Sequence, residues 1–204
     1  MTDKITFYTN PQSRGRTVRW MLEEIGVPYE TVVLDFATTM KAPDYLAINP
    51  MGKVPAIRHG KTVVTEVAAI LTYLAETFPA AGLVGTDKGA YYRWLYFVAG
   101  PLEYAFVDDA MGFAVPADKE GMIGYGTLKR ALDTLEGAVT AHTWLAGERF
   151  SAADLYAGGL IGWILRSAPL TEFPGIHAYF DRIKMRPALA RANNMDNALA
   201  TQKG

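Results

Sequence analysis

The chain has 204 residues, half of them hydrophobic, which suffices for one large domain or two small ones with real cores and argues against disorder. Its 20 basic and 21 acidic residues nearly cancel, so charge gives no case for a nucleic-acid partner or an anionic membrane surface. No cysteine is present, which excludes disulfides, thiolate metal sites and a protein thiol as nucleophile; any sulfur chemistry must use sulfur brought by a substrate.

Ile5-Thr6-Phe7-Tyr8 alternates weakly and predicts a strand, followed by a loop over Thr9-Asn10-Pro11-Gln12. Ser13 suits a helix N-cap; Val18, Met21, Leu22 and Ile25 recur at helical spacing until Gly26 and Pro28 stop the pattern. Glu30 to Leu34 predicts a second strand, parallel to the first with a right-handed crossover. A short helix is expected within Ala42 to Ile48. Ala56-Ile57-Arg58 and Thr62-Val63-Val64 then flank a glycine-containing loop and predict a hairpin. Glu66 to Phe78 reads as a helix carrying Val67, Ile70, Leu71 and Leu74. This βαβ-then-ββα order over residues 1–79 is thioredoxin-like. Residues 80–87 read as a linker, and 88–204 as an all-helical bundle domain, giving an α/β plus all-α fold. Its helices are expected over Asp87 to Phe113, Lys119 to His142, Ala152 to Arg166 and Gly175 to Lys184, with a shorter one after Pro187.

Pro55 enters a short apolar stretch that otherwise reads as a strand start. Proline cannot donate to a sheet ladder, so it implies an edge, a bulge or a turn, with a trans or a cis bond; a cis bond here would expose neighbouring backbone with which a peptide-like ligand could pair. Ser151 and Asp154, three residues apart, have the spacing of a capping box, with Phe150 and Leu155 where a hydrophobic staple packs. Arg14, Arg16 and Arg19 cluster at the start of a helix, its less favourable end for cations, which points to an anion or to an acidic neighbour within the fold or across a dimer. His59, His142 and His177 are too scattered for a metal motif, so no metal is expected. Met1 to Phe7 lacks a basic stretch leading into a long apolar run, and no apolar segment reaches spanning length; a cytoplasmic protein with no membrane partner is expected.

Three segments resemble the glutathione S-transferase family, over nearly the whole chain. They are Phe7 to Arg16 with Arg19 to Glu30, Asn49-Pro50-Met51-Gly52-Lys53-Val54-Pro55-Ala56 with Thr65 to Ile70, and Phe150 to Gly158. The resemblance, of bacterial type and cysteine-free, implies a glutathione transferase with glutathione as co-substrate, a small hydrophobic electrophile as second substrate and a homodimer. It also allows a non-catalytic binding or scaffold protein of the same fold. It implies that Val54, freed by a cis Pro55, binds the cysteinyl part of glutathione, that Glu66 meets the γ-glutamyl amine, and that Lys53 or Lys41 flanks the groove. The family's usual hydroxyl after the acid is here Val67, which weakens the γ-glutamyl carboxylate site and leaves the helix amides to hold it. Ser13 stands where serine-type classes place the thiol-activating hydroxyl, and Tyr8 where tyrosine-type classes do. Each has a plain alternative, a helix cap and a core aromatic. Tyr104, Phe106 and Phe113 are candidates for the electrophile pocket.

Overall fold

The computed structural model describes residues 4–201, so the first three residues of the amino-terminal segment read above lie outside it. Two compact units are present, one of residues 4–81 with 186–201 and the other Gly82–Met185.

In the first unit, β1 (Ile5–Thr9), α1 (Gly15–Ile25) and β2 (Tyr29–Val33) form the βαβ element, with β1 and β2 parallel. A short α2 (Pro43–Leu46) precedes the hairpin of β3 (Ala56–His59) and β4 (Thr62–Thr65), and α3 (Val67–Thr77) follows. The sheet order is β2-β1-β3-β4, with both pairings involving β3 antiparallel. This is the thioredoxin-like arrangement expected.

Strand alternation divides the core. Phe7 meets the Arg19 guanidinium of α1 and the Tyr29 ring, whereas Tyr8, on the opposite face, packs with Leu34, Met40, Tyr45 and Ala56. On α1 the seam is Val18, Met21 and Leu22; on α3 it is Ile70, Leu71 and Leu74. All six are fully buried, each contributing about 1.5–3 kcal/mol of transfer free energy. Gly26 ends α1 in the left-handed region at φ 69°, returning its N–H to the Leu22 carbonyl, a conformation that other residues adopt at a cost.

The last helix, α9 (Pro187–Thr201), has 15 residues and is the longest α-helix among those described, not the short one expected. The sequence reading puts residues 88–204 in one domain; contacts group 186–201 with the first unit, where α9 packs along α1. Its buried side of Ala188, Ala192 and Asp196 is small and partly polar, which is why no apolar periodicity announced it. Polar bonds hold it. Arg19 Nε donates to Asp196 Oδ1 at 2.8 Å, Arg186 forms a two-point pair with Glu24, and Arg191 pairs with Glu23. The acidic neighbour anticipated for the arginine cluster thus lies within the fold for Arg19, whereas Arg16 donates to neutral acceptors, the Pro11 carbonyl and the Asn197 side chain.

In the second unit, α4 (Lys88–Phe97) runs through a π-helical turn at Val98–Leu102 into α5 (Glu103–Ala110). The sequence reads as one helix there. Pro101 lacks an N–H and crowds the preceding turn, and the wider π turn absorbs it. The helix expected from Lys119 is a 3-10 turn at Ala117–Met122, and α6 (Leu128–Ala141) begins only where the Thr127 hydroxyl accepts from the Arg130 N–H. Next come α7 (Ala152–Ile164) and α8 (Pro174–Lys184). Glu136 of α6 caps α8 from outside, its two oxygens accepting from Gly175 and Ile176 N–H at 2.7 Å each.

The capping box at Ser151 is formed, and Asp154 does more than close it. This buried carboxylate accepts from the Ser151 N–H at 2.8 Å, the Ser151 hydroxyl at 2.7 Å, the Leu145 N–H at 2.7 Å and the Tyr179 hydroxyl at 2.6 Å. Removing it orphans four donors, so Asp154→Ala is expected to destabilise the protein by at least about 3 kcal/mol in urea unfolding. Burial raises the Asp154 carboxyl above its usual range, the four hydrogen bonds opposing. A raised folded value means that the folded state holds the extra proton: its stabilising effect is complete below the unfolded value of about 3.9 and is lost as pH rises through the folded one. Unfolding free energies measured against pH should therefore shift in favour of Asp154→Asn, relative to the parent, as pH rises through that window.

Candidate functional site at one end of the sheet

Strand register gathers the candidate residues. Tyr8 pairs with Ala56 across β1 and β3, and Ala56 pairs with Thr65 across β3 and β4. Just beyond these pairings, the loop that starts two residues after Tyr8 meets Pro55, adjacent to Ala56, and Glu66, adjacent to Thr65, at the same end of the sheet. The Val54–Pro55 bond is cis. Val54 is half-buried, and among the described residues its backbone amide and carbonyl make no hydrogen bond.

The segment before Pro55 is held from below. Tyr45 and Asn49, both buried, donate to one acceptor, the Lys53 carbonyl, at 2.5 and 2.8 Å. Burial pushes the Tyr45 phenol up to about 12, with the Asn49 amide pulling the other way, so the phenol stays a donor at neutral pH. Lys41 Nζ donates to the Gly52 carbonyl at 2.6 Å, which commits that lysine to the loop. Lys53, by contrast, is exposed, and its ammonium has no partner among the described residues.

Glu66 precedes α3 at φ 66°, a left-handed conformation that costs a non-glycine residue roughly 1–3 kcal/mol. Its carbonyl accepts from the Ile70 N–H, while its carboxylate is exposed and unpaired among the described residues. Among the described residues no side chain caps α3, so the amides of its first turn, starting at half-buried Val67, are open to an anion.

The loop after β1 is organised by buried Asn10. Its side-chain amide donates to the Leu34 carbonyl at 2.8 Å, and its Oδ1 accepts from the Gln12 N–H at 2.9 Å. Its backbone carbonyl accepts from both the N–H and the hydroxyl of Ser13, at 3.0 and 2.7 Å. The Ser13 oxygen in turn accepts from the Gly15 N–H at 3.0 Å. The N-cap of α1 is Arg14 rather than Ser13, so the serine sits one residue outside the helix while still holding one of its first amides. A Cβ on Gly15 would come within 2.0 Å of Thr9 Oγ1, which is why glycine stands there. Tyr8 is buried, its ring 5.7 Å from that of Tyr45, and its hydroxyl has no hydrogen bond among the described residues.

Of the residues described at this sheet end, the sequence reading named Tyr8, Ser13, Lys53, Val54, Pro55, Glu66 and Val67 as site candidates and did not name Asn10 or Tyr45. Asn10 had a legible signal, an Asx turn before Pro11; Tyr45 had none, its bond to Lys53 being tertiary.

Residues 13–77 match the model of the glutathione S-transferase N-terminal domain, and residues 103–187 that of the C-terminal domain. The chain is 32% identical over 187 residues to glutathione S-transferase GST-4.5 of Xanthomonas campestris, covering 86% of this chain and 91% of the relative. It is 31% identical over 204 residues to glutathione S-transferase F10 of Arabidopsis thaliana, covering 90% and 94%. Among solved structures, a glutathione transferase from Methylococcus capsulatus superposes with a TM-score of 0.78 at 30% identity, covering 95% and 99%. A sphingomonad glutathione S-transferase complexed with glutathione does so with a TM-score of 0.78 at 28% identity, covering 94% and 98%.

Because Tyr45 and Asn49 share one acceptor, each single deletion leaves the Lys53 carbonyl one donor and the double leaves it none. Tyr45→Phe and Asn49→Ala should each cost about 1 kcal/mol through this bond, and the pair more than the sum, in a double-mutant cycle by chemical unfolding.

Proposed function

Because this chain belongs to the glutathione S-transferase family and is a glutathione transferase with glutathione as its co-substrate, we propose that Lys53, Val54, Pro55, Glu66 and Val67 bind the tripeptide and that Ser13 activates its thiol. The observation that carries this reading is the strand register, which brings an unpaired backbone, an unpaired carboxylate and an uncapped helix to one sheet end. The Val54 backbone pairs with the cysteinyl part as an added strand would. Glu66 receives the γ-glutamyl amine, and the first amides of α3 receive the γ-glutamyl carboxylate. Lys53 meets the glycyl carboxylate; Lys41 is occupied by Gly52.

A free thiol titrates near 8.5, so little of it is thiolate at neutral pH. The Ser13 hydroxyl now donates to a neutral carbonyl, and a thiolate, being charged, is the stronger acceptor. Turning toward the sulfur, the hydroxyl keeps the Gly15 N–H on its oxygen, which polarises it as a donor. The thiol proton leaves to solvent and the thiolate forms a bond to the electrophilic carbon. The leaving group departs or, in an addition, the product takes up a proton. One observation favours a second reading in which Tyr8 is the donor: its hydroxyl is uncommitted and its ring shares a cluster with Val54. Ultraviolet thiolate absorbance against pH on the glutathione complexes separates the two. Ser13→Ala should raise the bound thiol's pKa toward its free value while Tyr8→Phe leaves it in place; the reverse pattern transfers the role to Tyr8, and no shift in either variant rejects both.

For the electrophile we assign the helical unit's groove of about 320 Å³ lined by Gly100, Pro101, Tyr104, Met122, Ile123 and Tyr125, whose one acid, Asp108, accepts from the Tyr125 hydroxyl. A larger cleft of about 440 Å³ bears Asp87, Arg93, Thr134 and His142 and suits an apolar molecule less. We also propose a cytoplasmic homodimer that removes reactive electrophiles. Tyr96, Tyr104, Met111 and Phe113 are all more than half exposed, an apolar display suited to a subunit partner or to substrate. Sedimentation at micromolar concentration should show the dimer.

Val67 gives the γ-glutamyl carboxylate no hydroxyl. Val67→Ser should tighten glutathione binding by about tenfold in calorimetry, as expected for one added hydrogen bond to a charged group, without altering the fold.

A further inference from the structure

The loop that carries Ser13 is tied to the far end of the chain. Arg16, in the first turn of α1, donates from Nε to the Pro11 carbonyl at 2.6 Å, inside that loop. The rest of its guanidinium reaches α9, with Nη2 donating to Asn197 Oδ1 at 2.8 Å and Nη1 to Asn193 Oδ1 at 3.5 Å. One turn further along α1, Arg19 takes Asp196 of α9 in a bond shielded from water. Residues 193, 196 and 197 of α9 thus lie on one face and meet residues 16 and 19 of α1, each set at helical spacing.

We propose that α9 positions the thiol-activating hydroxyl through Arg16, which makes Arg16, Asn193 and Asn197 positioning residues for the transferase reaction; the inference rests on the reading of Ser13 given above. A guanidinium is planar and presents donors in a fixed fork, so the point at which α9 holds its Nη atoms sets where Nε holds Pro11. Pro11 lies between Asn10, whose carbonyl receives the Ser13 hydroxyl, and Ser13 itself. A shift of the Pro11 carbonyl therefore moves both ends of that bond. Lysine offers one ammonium on a flexible stem and cannot fix both points.

The test compares the full chain with Asn193→Ala/Asn197→Ala, Arg16→Lys, Ser13→Ala and Arg191→Ala, the last cutting the α9 bond to Glu23 on the same seam but away from the loop. Thiolate absorbance of bound glutathione against pH, and kcat and KM at neutral pH, are measured on each. The asparagine double variant and Arg16→Lys should raise the thiol pKa by up to about one unit, which lowers the thiolate fraction and kcat by up to about tenfold, with KM for glutathione within about twofold. Asn197→Asp, which keeps the acceptor, should restore parental values when placed beside Asn193→Ala. Arg191→Ala should leave the pKa in place, and adding Ser13→Ala to the asparagine variant should raise it no further than Ser13→Ala alone. A shift in Ser13→Ala with none in the asparagine variant overturns this inference and leaves the Ser13 reading standing. No shift in Ser13→Ala removes that reading and the inference with it. An equal shift in Arg191→Ala means that general loosening of α9 is the cause, and also overturns it.

Discussion

The first unit is organised around a guanidinium and a carboxylate that have both lost their water. Arg19 and Asp196 are 0% and 1% exposed, and taking two ions out of solvent costs several kcal/mol for each before they attract one another. The environment meets that cost from several sides. Arg19 also donates to the Tyr29 and Thr31 hydroxyls at 3.2 Å and lies 5.2 Å from the Phe7 ring centre, so one side chain joins α1, both parallel strands and α9. Burial raises the Asp196 carboxyl above its usual range, and Arg19 draws it back. The pair is single-pointed: Arg19 Nη2 and Asp196 Oδ2 are buried and have no partner among the described residues. Such a pair adds little to net stability compared with an apolar filling, but it permits one register of α9 on α1, because a slip by one residue would bury either charge alone.

What could be read from the sequence divides by distance along the chain. The βαβ and hairpin elements, the stop at Gly26 and the box at Ser151 are each signalled within a few residues, by periodicity, by φ preference or by cap spacing, and the cis bond at Pro55 by the family resemblance of the segment around it. The failures lie where the decisive partner is remote. Nothing local in residues 187–201 shows that Asp196 will be covered, since a lone acid on an alanine-rich helix looks solvated. The helix expected across Asp87 to Phe113 does form, as one helical run over 88–110, but its π turn was not legible: Pro101 is absorbed by a wider turn without leaving helical geometry, so the apolar spacing continues through it. At the site the residue types were legible and their bonding states were not. Ser13 and Lys41 are both committed in this structure, Tyr8 and Lys53 are not, and only tertiary geometry distinguishes them.

Those commitments follow a physical pattern. The groups that shape the loops, Asn10, Tyr45 and Asn49, are buried and donate to backbone carbonyls, whereas the Glu66 carboxylate, the Lys53 ammonium and the first amides of α3 have no partner among the described residues. Buried polar groups need partners within the protein, and surface ones can wait for a ligand. The positive φ at Glu66 belongs with the second group: it turns the backbone sharply between β4 and α3, so that strand end and helix start present their groups on one side.

The grouping of residues 186–201 with the first unit also bears on the order in which the chain can take shape during synthesis. Arg19 and Asp196 are 177 residues apart, and the whole of Gly82–Met185 is made between them. The helical unit has everything it needs before α9 leaves the ribosome. The thioredoxin-like unit, begun before the helical one, must hold an arginine without its carboxylate partner beside its sheet until α9 arrives. Vectorial synthesis ordinarily lets the amino-terminal domain finish first; here the domain begun first is the one completed last.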